Sequence, residues 1–235
     1  MVTVPPQDGM ALDIATLQPP VLVVAPHPDD ESIGCGGLIA TLRRCRLDVQ
    51  VIVLTDGTGS HANSASYPPC RLADVRKGEA LKALAILGVA PEAVAFWQLA
   101  DRFVPDRDSA EFESAVARTQ LRLRLQQPAT LVIPGRTDSH GDHRAAWSIW
   151  TEAARGLSAK PRILEYLVWP GTETAEGAPL LLDISEVLPL KRQAVAAHRS
   201  QHGLVIEDDS DGFSLPDDLL ARAAEPWERF FETVL

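Results

Sequence analysis

Along most of this chain, short unbroken apolar runs alternate with longer segments whose apolar positions recur at helical spacing. V-L-V-V-A, from Val21 to Ala25, has no polar position, which predicts a strand buried on both faces rather than on one. G-G-L-I-A-T-L-R-R, starting at Gly36, then opens a helix, with glycines that let it sit close to the strand. Val49 to Leu54, Val94 to Leu99 and Ala129 to Pro134 repeat the strand pattern. Helices are expected at Leu72 to Leu87, Ala110 to Gln126, His143 to Arg155 and Ser185 to Arg199. Two further strands are expected at Arg162 to Trp169 and Pro179 to Asp183, and Asp56 to Pro69 reads as a long polar loop forming a lid or substrate wall. Residues 170–172 and Glu207 to Gly212 read as loops. The last segment, Glu225 to Leu235, carries Trp227, Phe230, Phe231 and Val234 at helical spacing and reads as a docking helix.

Alternating strands and helices imply an α/β fold, Rossmann-like, with a mostly parallel sheet covered by helices on both faces. No composition shift marks a second domain, so residues 21–235 read as one domain after a tail at 1–20. At 235 residues and 46% hydrophobic, the chain can bury one substantial core.

Charge narrows the partners. With 22 basic against 32 acidic residues, net −10, and no basic run, the chain lacks the footprint of a nucleic-acid or anionic-membrane binder. A small-molecule partner is expected, and self-association into a homo-oligomer stays open. Cys35, Cys45 and Cys70 are too few and too irregular for a disulfide scaffold; Cys35 reads as a small buried residue. With no signal-peptide pattern and no apolar run of bilayer-spanning length, a cytoplasmic location is expected.

The chemistry begins where the first strand ends, at His27, Asp29, Asp30 and Glu31. In open α/β sheets ligands bind beyond the carboxyl ends of strands, and adjacent carboxylates beside a dry strand repel one another unless a cation relieves them. An imidazole and a carboxylate three residues apart can both reach a divalent ion. The same acids also read as ordinary helix-starting residues. The strand ending at Pro134 is followed by a second cluster, Asp138, His140, Asp142 and His143. If the two strands are close in one parallel sheet, both turns open on the same edge and can share one ion. The alternative is a polar loop with Asp142 as N-cap of the next helix.

A-P-H-P-D-D-E, followed about a hundred residues later by H-G-D-H, resembles the PIG-L/LmbE-like family of metal-dependent N-acetylglucosaminyl deacetylases. The likeness extends through Thr55-Asp56-Gly57, Arg76-Lys77-Gly78-Glu79 and His198-Arg199-Ser200-Gln201, with Gly141 where many members have proline. The resemblance implies that His27, Asp30 and His143 hold Zn²⁺ or another divalent transition ion such as Fe²⁺. It makes Asp29 the general base and His140 an oxyanion stabiliser, in imidazolium form, oriented by Asp142. It assigns Arg76 to the substrate; from spacing alone, Arg76 and Glu79 could equally form a surface ion pair. His198 and Gln201 are candidates for the pocket rim, while His61 and His202 read as exposed loop residues. The activity implied is removal of acetate from an N-acetylated amino sugar or its conjugate. The rival is a metal-dependent hydrolase or hydratase of a non-sugar molecule on the same scaffold.

Overall fold

The computed structural model describes residues 9–170 and 177–235. Its eight strands are β1 (Met10–Ala11), β2 (Val21–Ala25), β3 (Val49–Thr55), β4 (Val94–Leu99), β5 (Thr130–Pro134), β6 (Arg162–Tyr166), β7 (Leu180–Asp183) and β8 (Trp227–Thr233). They form one sheet in the order β1-β7-β8-β6-β5-β2-β3-β4, parallel except where β8 runs against β6 and β7. The helices are α1 (Asp30–Arg44), α2 (Pro69–Ile86), α3 (Phe112–Gln126), α4 (Gly141–Arg155), α5 (Leu188–Ala197) and α6 (Asp217–Ala223). The chain is thus the expected single α/β domain.

The apolar run of β2 serves two cores. Val21, Val23 and Ala25 pack under α1, α2 and α5, whereas Leu22 and Val24 face α3 and α4. All five are at most 1% exposed, as a strand without alternation requires. β2 pairs with β3 on one side and β5 on the other, so the strand order reverses at β2 and the crevice above it is a topological switch point. No helix among the described residues is long and apolar enough to cross a membrane.

Three expectations change. Glu225 to Leu235 is not a helix: Trp227–Thr233 is β8, wedged between β6 and β7, with Glu228 and Phe230 turned inward. That spacing marks one face of a helix, whereas in a strand it puts Phe230 on the face opposite Trp227 and Phe231; the gap between β6 and β7 decides for the strand. Helix α1 begins at Asp30 rather than Gly36, and breaks at Cys35, whose φ of −145° is not helical. Close packing accounts for Gly34 here, since a Cβ would meet the Tyr166 ring at 2.2 Å. Near the N-terminus, Met10–Ala11 pairs with β7 and Leu12 and Leu17 are buried, so this stretch is anchored. Of the expected loops, positions 171 and 172 lie outside the described residues, as do residues 1–8 of the expected tail.

Beyond the break in α1, the backbone N–H groups of Gly37 and Leu38 would have no intrahelical acceptor. Glu228 accepts both, at 2.7 Å each, and forms a 2.7 Å ion pair with buried Lys191 on α5. Glu228→Ala is therefore expected to destabilise the protein by about 3–5 kcal/mol, because it strands a buried ammonium. Denaturant titration checks this; a loss of less than about 1 kcal/mol would mean the charge reaches water.

Candidate metal centre

β2 and β5 are parallel neighbours, so the turns that follow them open side by side, as the two motifs require. The β2 turn presents His27 and Asp29 and runs into Asp30 at the start of α1; the β5 turn runs through Asp138 to His140, which caps α4. The N-cap is His140, not Asp142. Its Nδ1 accepts the Asp142 N–H at 3.2 Å, and Asp142 lies inside the first turn. Gly141 has open space around it, so the missing proline leaves this turn intact.

Three donors face one another at the base of the cleft. His27 Nδ1 is 3.0 Å from Asp30 Oδ2, His143 Nε2 is 3.1 Å from the same oxygen, and the two nitrogens are 3.3 Å apart. A tetrahedral ion with bonds of ~2.0–2.1 Å spaces its ligands about 3.3–3.4 Å apart, so the triangle needs to expand only slightly to enclose one. Each imidazole is also held from behind. His27 Nε2 meets Asp142 Oδ2 at 3.1 Å and Asp101 Oδ1 at 3.3 Å, and His143 Nδ1 meets Asp138 Oδ2 at 3.0 Å. Carboxylates at the far nitrogen fix the tautomer and aim of ligating histidines. The residues present therefore fit a divalent ion. Two other groups, His27 with His140 and His143, and His27 with Asp101 and Asp142, also bring ligand atoms within 4.8 Å of one another.

The field of the cluster favours positive charge. Burial alone would lower the His143 imidazole, but Asp30 and Asp138 push it up to about 9. His27 behaves likewise: burial opposes its protonation, yet Asp101, Asp142 and Asp30 raise it well above the ordinary value. Burial opposes the Asp30 charge, while His143 and His27 hold its carboxyl well below the usual range. Burial pushes the Asp29 carboxyl up, with Arg76 pulling against it.

A cleft of about 160 Å³ opens on this edge. His27, Asp29, Asp30, His140, Arg76 and Gln201 reach it, with Trp169 and Phe213 as an aromatic wall and Gly59 and Ser60 of the expected loop as another. Asp142 and His143 lie behind it; His143 is fully buried.

Several side chains occupy places other than those expected. The structure favours a neutral His140 over the imidazolium: its Nδ1 accepts the Asp142 N–H, and burial beside His27 and His143 lowers its pKa. Asp142 turns its carboxylate to His27 and to the N–H groups of Arg102 and Val104, not to His140. Arg76 makes no pair with Glu79; it is buried and bound to Asp29 at 3.0 Å, while Glu79 accepts from Ser200 N and Oγ. His198 is fully buried on Ser32, away from the cleft. His61 is buried too, packed against Gly212. Asp101, which the sequence does not single out, joins the centre because β4 ends beside β3. Burial pushes its carboxyl up, but the hydrogen bond and charge of His27, with Arg76 and the Gly59 N–H, together draw it down to about 2.

The chain matches the profile of the family PIG-L, GlcNAc-PI de-N-acetylase, over residues 22–154. It is 26% identical to the diacetylchitobiose deacetylase of Thermococcus kodakarensis, over 91% of this chain and 75% of that protein. It is 29% identical to the probable N-acetyl-α-D-glucosaminyl L-malate deacetylase 2 of Bacillus subtilis, over 77% of this chain and 82% of that one. The solved N,N'-diacetylchitobiose deacetylase of Pyrococcus horikoshii, complexed with its inhibitor MPG, superposes with a TM-score of 0.64 at 25% identity, covering 86% of this chain and 72% of that chain. The matched region takes in more than half of the chain and both turns that build the centre, and this chain belongs to the PIG-L family.

Proposed function

We propose that this protein is a metal-dependent N-deacetylase that hydrolyses the acetamide of an N-acetylglucosamine-type sugar or conjugate, giving acetate and a free amine. The observation that carries this reading is the Asp29 carboxylate sharing the cleft with His27 and Asp30, whose donor triangle His143 completes from behind it, in a member of a de-N-acetylase family. Two imidazoles and one carboxylate suit Zn²⁺ and leave a coordination position open. Bound there, the ion would supply Lewis-acid polarisation of the amide carbonyl and acidify water.

The chain's own residues do the rest. Asp29 takes the proton from attacking water and passes it to the leaving nitrogen as the C–N bond breaks. His140, with Nδ1 occupied by the Asp142 N–H, carries its proton on Nε2 and can donate it as a hydrogen bond to the developing oxyanion. Asp142, Asp101 and Asp138 keep the two ligating rings in place. The Trp169 and Phe213 rings, 6.0 Å apart edge to face, offer an apolar wall to a sugar ring.

Screening the Zn²⁺-loaded protein against N-acetylhexosamine conjugates and simple acetamides, with acetate as readout, tests the substrate class. The sugars are expected to be the better substrates by kcat/KM. Equal or better turnover of simple amides would favour a non-sugar hydrolase.

A further inference from the structure

Away from the metal centre, one edge of the domain leaves large apolar side chains in water. Phe103, Leu121 and Leu125 are 76%, 60% and 73% exposed. Phe103 lines a groove of about 330 Å³ between the end of β4 and α3, together with Trp97, Pro105, Glu111, Ser114 and Arg118, and α3 carries the two leucines beyond it. No residue lines both this groove and the cleft at the metal centre. Apolar surface gathered this way, rather than scattered singly, marks an interaction site.

Glu111, Ser114, Arg118, Leu121 and Leu125 follow one another along α3 at intervals of three and four residues, and all five are exposed. They therefore form a single stripe along the helix. The stripe starts acidic, is small and polar at Ser114, turns basic at Arg118 and ends apolar. Glu111 and Arg118 make no ion pair among the described residues. Two turns separate them, and the positions three and four residues from Arg118, which are Ser114, Ala115, Leu121 and Arg122, include no acid. The Arg118 guanidinium instead lies over the Trp97 ring, 4.4 Å from its centroid, at the wall of the groove.

We propose that α3 and this groove form a two-fold contact with a second copy of this chain, the two α3 helices running antiparallel. Glu111 of each copy then meets the partner's Arg118. Ser114 and Ala115 fall at the axis, where small side chains let the helices approach, and Leu121 and Leu125 extend along the partner's groove toward the partner's Phe103. Reversing the helix is what makes the charges complementary: it sets Glu111 and Glu113 against a half that carries Arg118, Arg122 and Arg124, whereas a parallel pair would set each charge against its own copy. Addition of a strand at the outer edge of β4 fits less well. The β3–β4 register shifts between Val53 and Thr55, and Gln98 has φ +55°, irregularities that blunt an edge. The contact does not depend on what the cleft hydrolyses.

Sedimentation equilibrium of the Zn²⁺-loaded protein over roughly 1–100 µM chain gives its mass and Kd. A dimer, or a larger assembly containing it, is expected. Leu125→Glu, Glu111→Arg and Arg118→Glu are each expected to weaken association at least about tenfold, since every substitution acts twice across a two-fold axis. Combining Glu111→Arg with Arg118→Glu should return Kd to within about threefold of the parent, because the exchanged charges pair again. All three positions are exposed, so melting temperature and metal content are expected to match the parent. A second measurement needs no charge reversal. Ser114→Cys, in a background of Cys45→Ser and Cys70→Ser where buried Cys35 is the only other thiol, is expected to be joined into a covalent dimer by a short bismaleimide. A chain that stays monomeric over the whole range, an assembly of any size indifferent to the three single substitutions, a double variant that fails to regain association, or Ser114→Cys that yields no covalent dimer would each overturn the proposal.

Discussion

His143→Ala is expected to lose metal affinity by more than about a hundredfold, and activity with it, while His140→Ala keeps its ion. The two imidazoles are three residues apart and their ring centroids only 5.1 Å apart, so proximity does not separate them. Their hydrogen bonds do. His143 is backed by Asp138 at Nδ1 and turns Nε2 to Asp30 and His27, whereas His140 spends Nδ1 on a backbone N–H and lies at the cleft surface. Removing an outer partner of a metal ligand typically costs about 10–100-fold in affinity, and removing the ligand itself costs more. For His140→Ala the loss falls on kcat, about 10²–10³-fold, the size of a missing oxyanion donor. Metal titration with steady-state kinetics on both variants checks this. If His140→Ala lost the ion and His143→Ala kept it, the ligand set would have to be redrawn with His140 in place of His143.

Asp29→Asn is expected to bind metal nearly as well as the parent and to turn over at least about a hundredfold more slowly. The amide is close in shape and can still meet Arg76, but it accepts no proton. Burial and Arg76 act in opposite senses on this carboxyl, with burial prevailing. Because its folded-state pKa is raised above the ordinary aspartate value, the carboxylate contributes as a base only above that raised value, and the parent's activity should fall as pH drops through it. The pH profile of kcat checks the sign: a metal-replete Asp29→Asn protein with near-normal turnover would move the base to another carboxylate.

Much of this was legible from the chain, for local reasons. A strand buried on both faces shows itself as an unbroken β-branched run, and polar residues massed at the ends of two such runs mark the ligand-binding edge of the sheet. What stayed hidden depends on distant partners. Asp101 sits in an unremarkable polar loop, and only the neighbouring of β3 and β4 brings it to His27. Trp227 to Thr233 reads as a helix until β6 and β7 leave a slot for an antiparallel strand. Arg76 and Glu79, one helical turn apart, look like partners, yet each is claimed by a group far away in sequence, Asp29 at 3.0 Å and Ser200 at 2.6 Å. The exposed-looking His61 is buried by Gly212, some 150 residues further on.

The central claim is tested most directly by following acetate and free amine together, from an N-acetylglucosamine conjugate, with protein stripped by a chelator and then reloaded with Zn²⁺. The account predicts no release from the stripped protein, and equal amounts of acetate and amine once about one ion per chain is restored. Full activity in metal-free protein, or one tightly bound ion per chain with no acetate from any N-acetyl sugar, would contradict it.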